Sequence, residues 1–193
     1  MNNQQALSNV TEKYLSRFYE ILEEMIHGMT CAELTDSISH NFIVQMIPHH
    51  MAAIEMSRNL LKYTTFIPLQ EIASNIITEQ TKSIDDMKRV LDCCGGLQNS
   101  RKELQTYYKY YDRITTEMFC EMKNAVSTNN INENFMREMI PHHQGAVRMS
   151  ENALCFTICP QLRPILDAII KSQKKGIRQM ECLLCNITNA SCK

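Results

Sequence analysis

The stretch Met46-Ile47-Pro48-His49-His50 returns 93 residues later as Met139-Ile140-Pro141-His142-His143. The same offset relates residues on both sides of the motif without a gap, from the pair Tyr14/Tyr107 to the pair Leu91/Leu184. A fixed period of this length is typical of an internal duplication of one folding unit. We therefore expect two repeats, residues 1–96 and 97–193, and we expect the positions that both copies retain to be the ones the unit needs.

The composition favours a globular chain without a charged macromolecular partner. The 193 residues are 44% hydrophobic and carry a net charge of −1, which gives no electrostatic reason to bind nucleic acid or an anionic membrane. No apolar run approaches the roughly 18 residues of a membrane span. The first ten residues lack the basic and apolar regions of a secretory signal, so the sequence predicts a cytoplasmic protein.

Hydrophobic periodicity predicts six helices and no strand. The three helices of the first repeat are expected over 7–29, from about 36 or 39 to 63, and over 68–94, with Gly28 and the stretch 30–35 ending the first and a kink at Pro48. Those of the second repeat are expected over roughly 100–126, 131–155 and 160–186, with Ser100 and Glu103 forming a capping box. Residues 186–193 are expected to fray. The fold class is therefore an all-α bundle, and three helices per repeat predict packing between the repeats.

Methionine is retained between the repeats more often than a hydrophobic core requires. Leucine could replace a methionine that only fills space at a cost under about 1.5 kcal/mol. Retention of sulfur therefore indicates that the thioether itself is needed, although a core that has drifted little remains the alternative. The matched pairs are Met25/Met118, Met29/Met122, Met46/Met139, Met56/Met149 and Met87/Met180, while Met51 and Met136 have no counterpart.

The two adjacent histidines of each repeat lie on the apolar face of their helix. His49 and His50, like His142 and His143, must lose water there, and each ring nitrogen then needs a partner. Thioether and imidazole are neutral ligands that suit a soft monovalent ion such as Cu(I) or Ag(I). Zinc sites instead use cysteine, histidine and carboxylate. The duplicated methionines and histidines together predict a metal site.

Two other bundle cofactors fit the sequence less well. A ferritin-like di-iron site needs inward glutamates, whereas the inward stripes are predicted to carry no aspartate or glutamate, with Glu55, Glu79, Asp85 and Asp86 pointing elsewhere. Haem held by histidine and methionine is conceivable, but five methionines per repeat exceed its need. No organic cofactor is expected.

The nine cysteines are not matched at the 93-residue offset. We interpret them as reduced thiols, with a second thiolate metal site as the less favoured reading. The predicted order of helices places Cys31, Cys93, Cys94, Cys182 and Cys185 near one end of the bundle and Cys155 and Cys159 at the other. His27 and His40 are interpreted as surface or cap residues.

The motif Phe42-x-x-x-Met46-Ile47-Pro48-His49-His50-x-x-Ala53-x-x-Met56, followed by Gln80-x-x-x-Ile84-x-x-Met87, resembles the domains of unknown function of family 305 (DUF305), which include CopM-type copper-binding proteins. The resemblance covers roughly 36–92 and 130–185. It implies a ferritin-like bundle and, for some members, copper or silver binding through methionine and histidine. Family members commonly carry glutamate where this chain has Ser83 and Gly176.

Three functions follow from these features. The first is a buffer, store or chaperone for Cu(I) or Ag(I). Its partner is the metal ion, and a metal-transfer protein or a second copy of the chain is the candidate for a further partner. The second is a helical structural or interaction module with methionine and histidine in its core and no metal. An enzyme ranks last, because no nucleophile, base and orienting group come together in the sequence.

Overall fold

The computed structural model describes residues 6–190, with side chains described through residue 188. Within this range the chain forms six helices and no strand, an all-α bundle as the periodicity predicts. The helices are α1 (Asn9–Thr30), α2 (Ile38–Leu61), α3 (Ile67–Cys94), α4 (Arg101–Lys123), α5 (Ile131–Leu154) and α6 (Arg163–Ala190).

Helix boundaries match the sequence signals closely, with two differences. The capping box of Ser100 and Glu103 is present at the start of α4. Helix α1 ends at Thr30, within one residue of the predicted end, but Gly28, one of the two signals expected to end it, lies inside its last turn. A Cβ at Gly28 would lie 2.8 Å from Pro48 Cβ, so the glycine permits close approach of α1 to α2. The prediction that the chain frays from residue 186 onward is also wrong as far as residue 190, because α6 continues to Ala190. Residues 191–193 lie outside the described range.

The core is built around α2 and α5, which pack against each other. Helix α3 packs on α2, α6 packs on α5, and α3 also contacts α6, which makes a four-helix centre. Helix α1 lies against α2 and α4 lies against α5 on the outside of this centre. Consequently α2 and α5 are surrounded by other helices, and side chains near their midpoints are buried. None of the described helices is long and apolar enough to cross a membrane.

Matched hydrogen bonds fix the outer helices on the central ones. Asn59 Nδ2 on α2 donates to the Tyr14 carbonyl on α1 at 3.1 Å, and Asn152 Nδ2 on α5 donates to the Tyr107 carbonyl on α4 at 3.1 Å. Both asparagines are at least nine-tenths buried, where an unmade hydrogen bond would cost about 1–3 kcal/mol. The asparagines that both repeats retain are therefore explained by helix attachment.

The two halves run in opposite directions, which corrects the predicted distribution of cysteines. Cys182 near the end of α6 lies beside Pro68 and Glu71 at the start of α3. Cys93 and Cys94, at the end of α3, instead lie beside Cys159 in the loop before α6. The prediction grouped Cys182 with Cys93 and placed Cys159 at the far end, because it assumed that equivalent helix ends of the two repeats coincide.

Candidate metal centre

The two histidine pairs converge on one place, between α2 and α5. The rings of His49 and His142 stack with centroids 3.7 Å apart and planes inclined by 31°. His142 Nε2 donates to the His49 carbonyl oxygen at 3.1 Å. Each of these rings lies 5.9 Å from that of the following histidine, His50 or His143. We call these four side chains the histidine cluster. Both halves of the chain contribute to it.

The outer histidines of the cluster meet α3 and α6 at Ser83 and Gly176. His50 Nε2 and Ser83 Oγ on α3 share a hydrogen bond of 3.2 Å. On α6, a Cβ at Gly176 would lie 2.9 Å from His143 Cδ2 and 3.1 Å from Nε2. Gly176 therefore leaves the space that the His143 ring occupies. At these two positions the chain offers a hydroxyl and a gap instead of carboxylates.

Five nitrogens of the histidine cluster are buried without a hydrogen-bond partner. All four rings are at most 2% exposed. Because His142 donates through Nε2, its neutral ring presents Nδ1 as an acceptor lone pair. Buried polar atoms in proteins nearly always have partners, so this concentration is unusual for a side-chain core. The unpartnered atoms are His49 Nδ1 and Nε2, His50 Nδ1, His142 Nδ1 and His143 Nδ1.

Burial keeps the histidine cluster neutral. It lowers the pKa of His50 to about 3 and that of His142 to about 4, and the charge that His142 would carry acts in the same direction on His50. Burial, with the positive charge that each neighbour would carry, also lowers the pKa values of His49 and His143 well below 6.5. The rings are thus available as neutral ligands at physiological pH.

A small cavity of about 20 Å³ lies beside His143 and opens toward the surface between α3 and α6. His143, Gln80 and Gln173 line it, and both glutamines are at most 3% exposed. Both Gln80 amide atoms and Gln173 Oε1 lack a partner. The volume suffices for about one water molecule. The pair Gln80/Gln173, retained at the repeat offset, therefore belongs to the surroundings of the site.

Every methionine of the five matched pairs is buried, at 0–2% exposure, but their locations differ. Met46, Met56, Met139 and Met149 are on the same helices as the histidines, and Met87 and Met180 are on α3 and α6. Met25, Met29, Met118 and Met122 belong to the outer helices. Met118 Sδ occupies the space beside Gly145, on the side of α5 that meets α4. The outer methionines are thus positioned to pack α1 and α4, whereas His50 and His143 face α3 and α6.

One buried carboxylic acid contradicts the expectation that the inward stripes carry none. Glu138 on α5 is 3% exposed and accepts a 2.6 Å hydrogen bond from Tyr14 OH on α1. Burial raises its pKa to about 8. The periodicity missed it because α5 is enclosed on more than one side. Gln45, its counterpart at the 93-residue offset, shows that this position accepts a neutral side chain.

The arrangement fits a soft ion of low coordination number. Among residues 6–190, no three of these histidines offer one ring nitrogen each within 4.8 Å of one another. Two imidazoles, with thioether sulfur, form a neutral set that suits a monovalent d¹⁰ ion. The residues that would hold such an ion are the four histidines, through their unpartnered nitrogens.

The described part of the chain is thus an all-α bundle of six helices, with a buried histidine cluster between its two central helices. The family model described as "Domain of unknown function (DUF305)" matches residues 20–91 and 39–184. The chain belongs to this family. Comparison with curated proteins found no significant match.

Solved structures of the family are similar to this chain. A DUF305 fragment from Deinococcus radiodurans has the same fold at 21% identity and a TM-score of 0.56, covering 77% of this chain and 96% of its own. CopM in its Ag-bound form, obtained by soaking, is 29% identical with a TM-score of 0.58 and covers 79% and 98%. CopM in its Cu(II)-bound form is 30% identical with a TM-score of 0.56 and covers 77% and 96%. Metal binding is therefore a property found within this family.

Proposed function

We propose that the chain binds one soft monovalent ion, Cu(I) or Ag(I), at the histidine cluster, and that it serves as a non-enzymatic buffer, store or chaperone for that ion. The observation that carries the proposal is the set of five buried imidazole nitrogens without partners. If the histidines only filled the core, their unpaired nitrogens would destabilise the fold and no other interaction would compensate. The metal-bound forms of CopM, from the same family, support the proposal.

The neutral surroundings favour a monovalent ion over a divalent one. Four neutral rings, Ser83 and two glutamine amides contribute no formal charge to the centre. The energetic cost of burying an uncompensated charge rises steeply with the charge, so a divalent ion would need the carboxylates that this chain lacks at positions 83 and 176. Glu138 is bonded to Tyr14 and held in its acid form at neutral pH. We therefore expect Cu(I) and Ag(I) to bind more tightly than Cu(II) or Zn(II).

Burial of the rings and the narrow cavity beside His143 support a role as a buffer, store or chaperone. An ion held among fully buried rings is protected from solvent, and the cavity beside His143 gives it a route toward the α3–α6 surface. Transfer to another protein would then begin at that surface. The methionines on α2, α3, α5 and α6 supply further soft donors along the core.

The test is a titration with Cu(I) against a competing chelator. The host protein carries Cys94→Ser and Cys159→Ser, which removes thiols that would compete for the ion. In this host the double variant His49→Phe/His142→Phe keeps two buried rings but removes four ring nitrogens. We expect it to lose the high-affinity equivalent. His27→Ala, at an exposed histidine, is the matched control and should bind as the host does.

Thermal unfolding of the same proteins separates lost binding from lost folding. A ligand at 100 times its dissociation constant adds about 2.7 kcal/mol to a protein that binds it only when folded. Ag(I) should therefore raise the unfolding temperature of the host and of His27→Ala, but not that of a folded His49→Phe/His142→Phe protein. Equal Cu(I) affinity in the host and the double variant would reject the histidine cluster as the site, and the metal-free core module would then be favoured.

A further inference from the structure

Three thiols form a second cluster at the end of the bundle where α3 ends. The Sγ atoms of Cys93, Cys94 and Cys159 all lie within 4.8 Å of one another. Within residues 6–190, this is the group of three or more His, Cys, Asp or Glu side chains that lie close enough together to hold an ion. Cys94 and Cys159 are buried, and Cys93 is exposed at the rim. We call these three side chains the thiol cluster.

Hydrogen bonds from the start of α2 hold the thiol cluster together. Ser37 Oγ donates to the Cys94 carbonyl at 3.0 Å, and Ser39 Oγ accepts from the Cys159 backbone N–H at 2.8 Å. Asn99 joins the same segments, because its Oδ1 accepts from the Ile38 N–H and its Nδ2 donates to the Thr157 carbonyl. All of these bonds fix backbone on either side of the sulfurs, so the thiols come together without a disulfide or a ligand.

The number and spacing of the sulfurs select the ion. An ion with three sulfurs at about 2.3 Å in a plane needs them roughly 4.0 Å apart, so sulfurs within 4.8 Å need only a small closure. A structural zinc ion needs a fourth ligand, which this group does not contain. Thiolate sulfur with low coordination suits Cu(I) and Ag(I).

We propose that Cys93, Cys94 and Cys159 form a second site, separate from the histidine cluster, that binds one Cu(I) or Ag(I) ion through thiolate sulfur. Cys93 Sγ donates at present to the Val90 carbonyl, and Cys159 Sγ donates to Gln161 Oε1. On binding, each coordinating thiol gives its proton to solvent as its metal–sulfur bond forms, and no electron is transferred. Because Cys93 is exposed, the ion enters from the solvent at this end.

The test compares thiols four residues apart in the otherwise unchanged chain. Cu(I) is titrated in the presence of a competing chelator while the near-ultraviolet absorption from thiolate to Cu(I) is recorded. Cys159→Ser should lower the affinity of one equivalent at least tenfold and remove the absorption. Cys155→Ser, at an exposed thiol, should leave both unchanged. Equal affinity and absorption in the two variants would overturn the proposal.

Two further variants protect the test against misfolding and against confusion with the histidine cluster. Ser39→Ala retains every thiol but frees the Cys159 backbone, and it should weaken the same equivalent with the absorption retained. His49→Phe/His142→Phe should retain the thiolate absorption at full intensity. If that double variant removes the absorption while it remains folded, the two sites are not separate and the proposal fails.

Discussion

At the residue scale, each functional side chain depends on a neighbour that sequence periodicity does not reveal. Periodicity placed His49, His50, His142 and His143 on apolar stripes, and they are fully buried. It could not show that the His142 ring stacks on His49, because a stripe gives the direction of a side chain and not the partner it meets. Glu138 was missed for the same reason.

The buried histidines predict a loss of stability in acid for the metal-free protein. Their folded-state pKa values, about 3 for His50 and about 4 for His142, are below the unfolded value of 6.5. The stability is therefore fully present above pH 6.5 and is lost as the pH falls through 6.5 toward the folded values, by up to about 1.4 kcal/mol per pH unit for each histidine. Urea unfolding between pH 7.5 and pH 5 measures this slope.

A variant assigns that slope to the cluster. His49→Phe/His142→Phe removes two of the four buried histidines, so it should reduce the slope by the contribution of about two protons. His27→Ala should leave the slope unchanged. An unfolding free energy that is flat between pH 7.5 and pH 5 in the unmodified chain would show that the four rings are not held neutral.

Glu138 predicts a pH dependence of the opposite sign. Its folded-state pKa of about 8 is above the unfolded value of 4.5, so its contribution is fully present below pH 4.5 and is lost as the pH rises through about 8. Glu138→Gln keeps an acceptor for Tyr14 OH and reproduces the residue at position 45. We expect it to remove this loss, worth up to about 1.4 kcal/mol per pH unit for the one proton.

Urea unfolding at pH 6 and pH 9 tests the assignment. Glu138→Gln should gain stability relative to the unmodified chain as the pH rises. Glu55→Gln, at a partly exposed carboxylate that pairs with Arg58 on the surface, is the control and should show no such gain. A constant difference between Glu138→Gln and the unmodified chain at the two pH values would contradict a buried acid.

At the scale of the helices, the sequence predicted what depends on local patterns. The ends of α2 and α5 were found to within about two residues, because caps and apolar periodicity act within one helix. The role of Gly28 was wrong because a glycine within a helix can mark either an end or a close approach, and only the packed helices distinguish the two. Gly145 and Gly176 are further cases of close approach, and Gly176 lies against His143.

Gly176→Ala tests the contact between α6 and the histidine cluster. The added Cβ would lie 2.9 Å from His143 Cδ2, which is closer than real contacts allow, so the ring must shift. In the host lacking Cys94 and Cys159 thiols, we expect Cu(I) affinity to fall while the helix is retained, since alanine favours helix over glycine by about 1 kcal/mol.

The control for Gly176→Ala is Gly28→Ala. Its added Cβ creates a similar overlap with Pro48, on the side of α2 that faces α1. It should lower stability but leave affinity for the ion unchanged. If both variants bind Cu(I) as tightly as the host, the position of His143 has no influence on the site.

At the scale of the whole molecule, the arrangement of the halves assembles the two side-chain clusters. The repeat predicted that the halves would pack together, but their opposite directions could not be predicted, because hydrophobic stripes do not specify which ends meet. That arrangement brings His49 against His142 and Cys159 beside Cys94. The histidine cluster is therefore one shared centre to which each half contributes two rings.

The stoichiometry of two half-specific variants tests this central claim most directly. In the host with Cys94→Ser and Cys159→Ser, His49→Phe/His50→Phe alters only the first half and His142→Phe/His143→Phe only the second. Circular dichroism first verifies that each is helical, and Cu(I) is then titrated against a competing chelator. A shared centre predicts that the host binds one ion with high affinity and that each variant binds none. Two ions bound by the host with one retained in each variant, or unchanged binding in both, would contradict it.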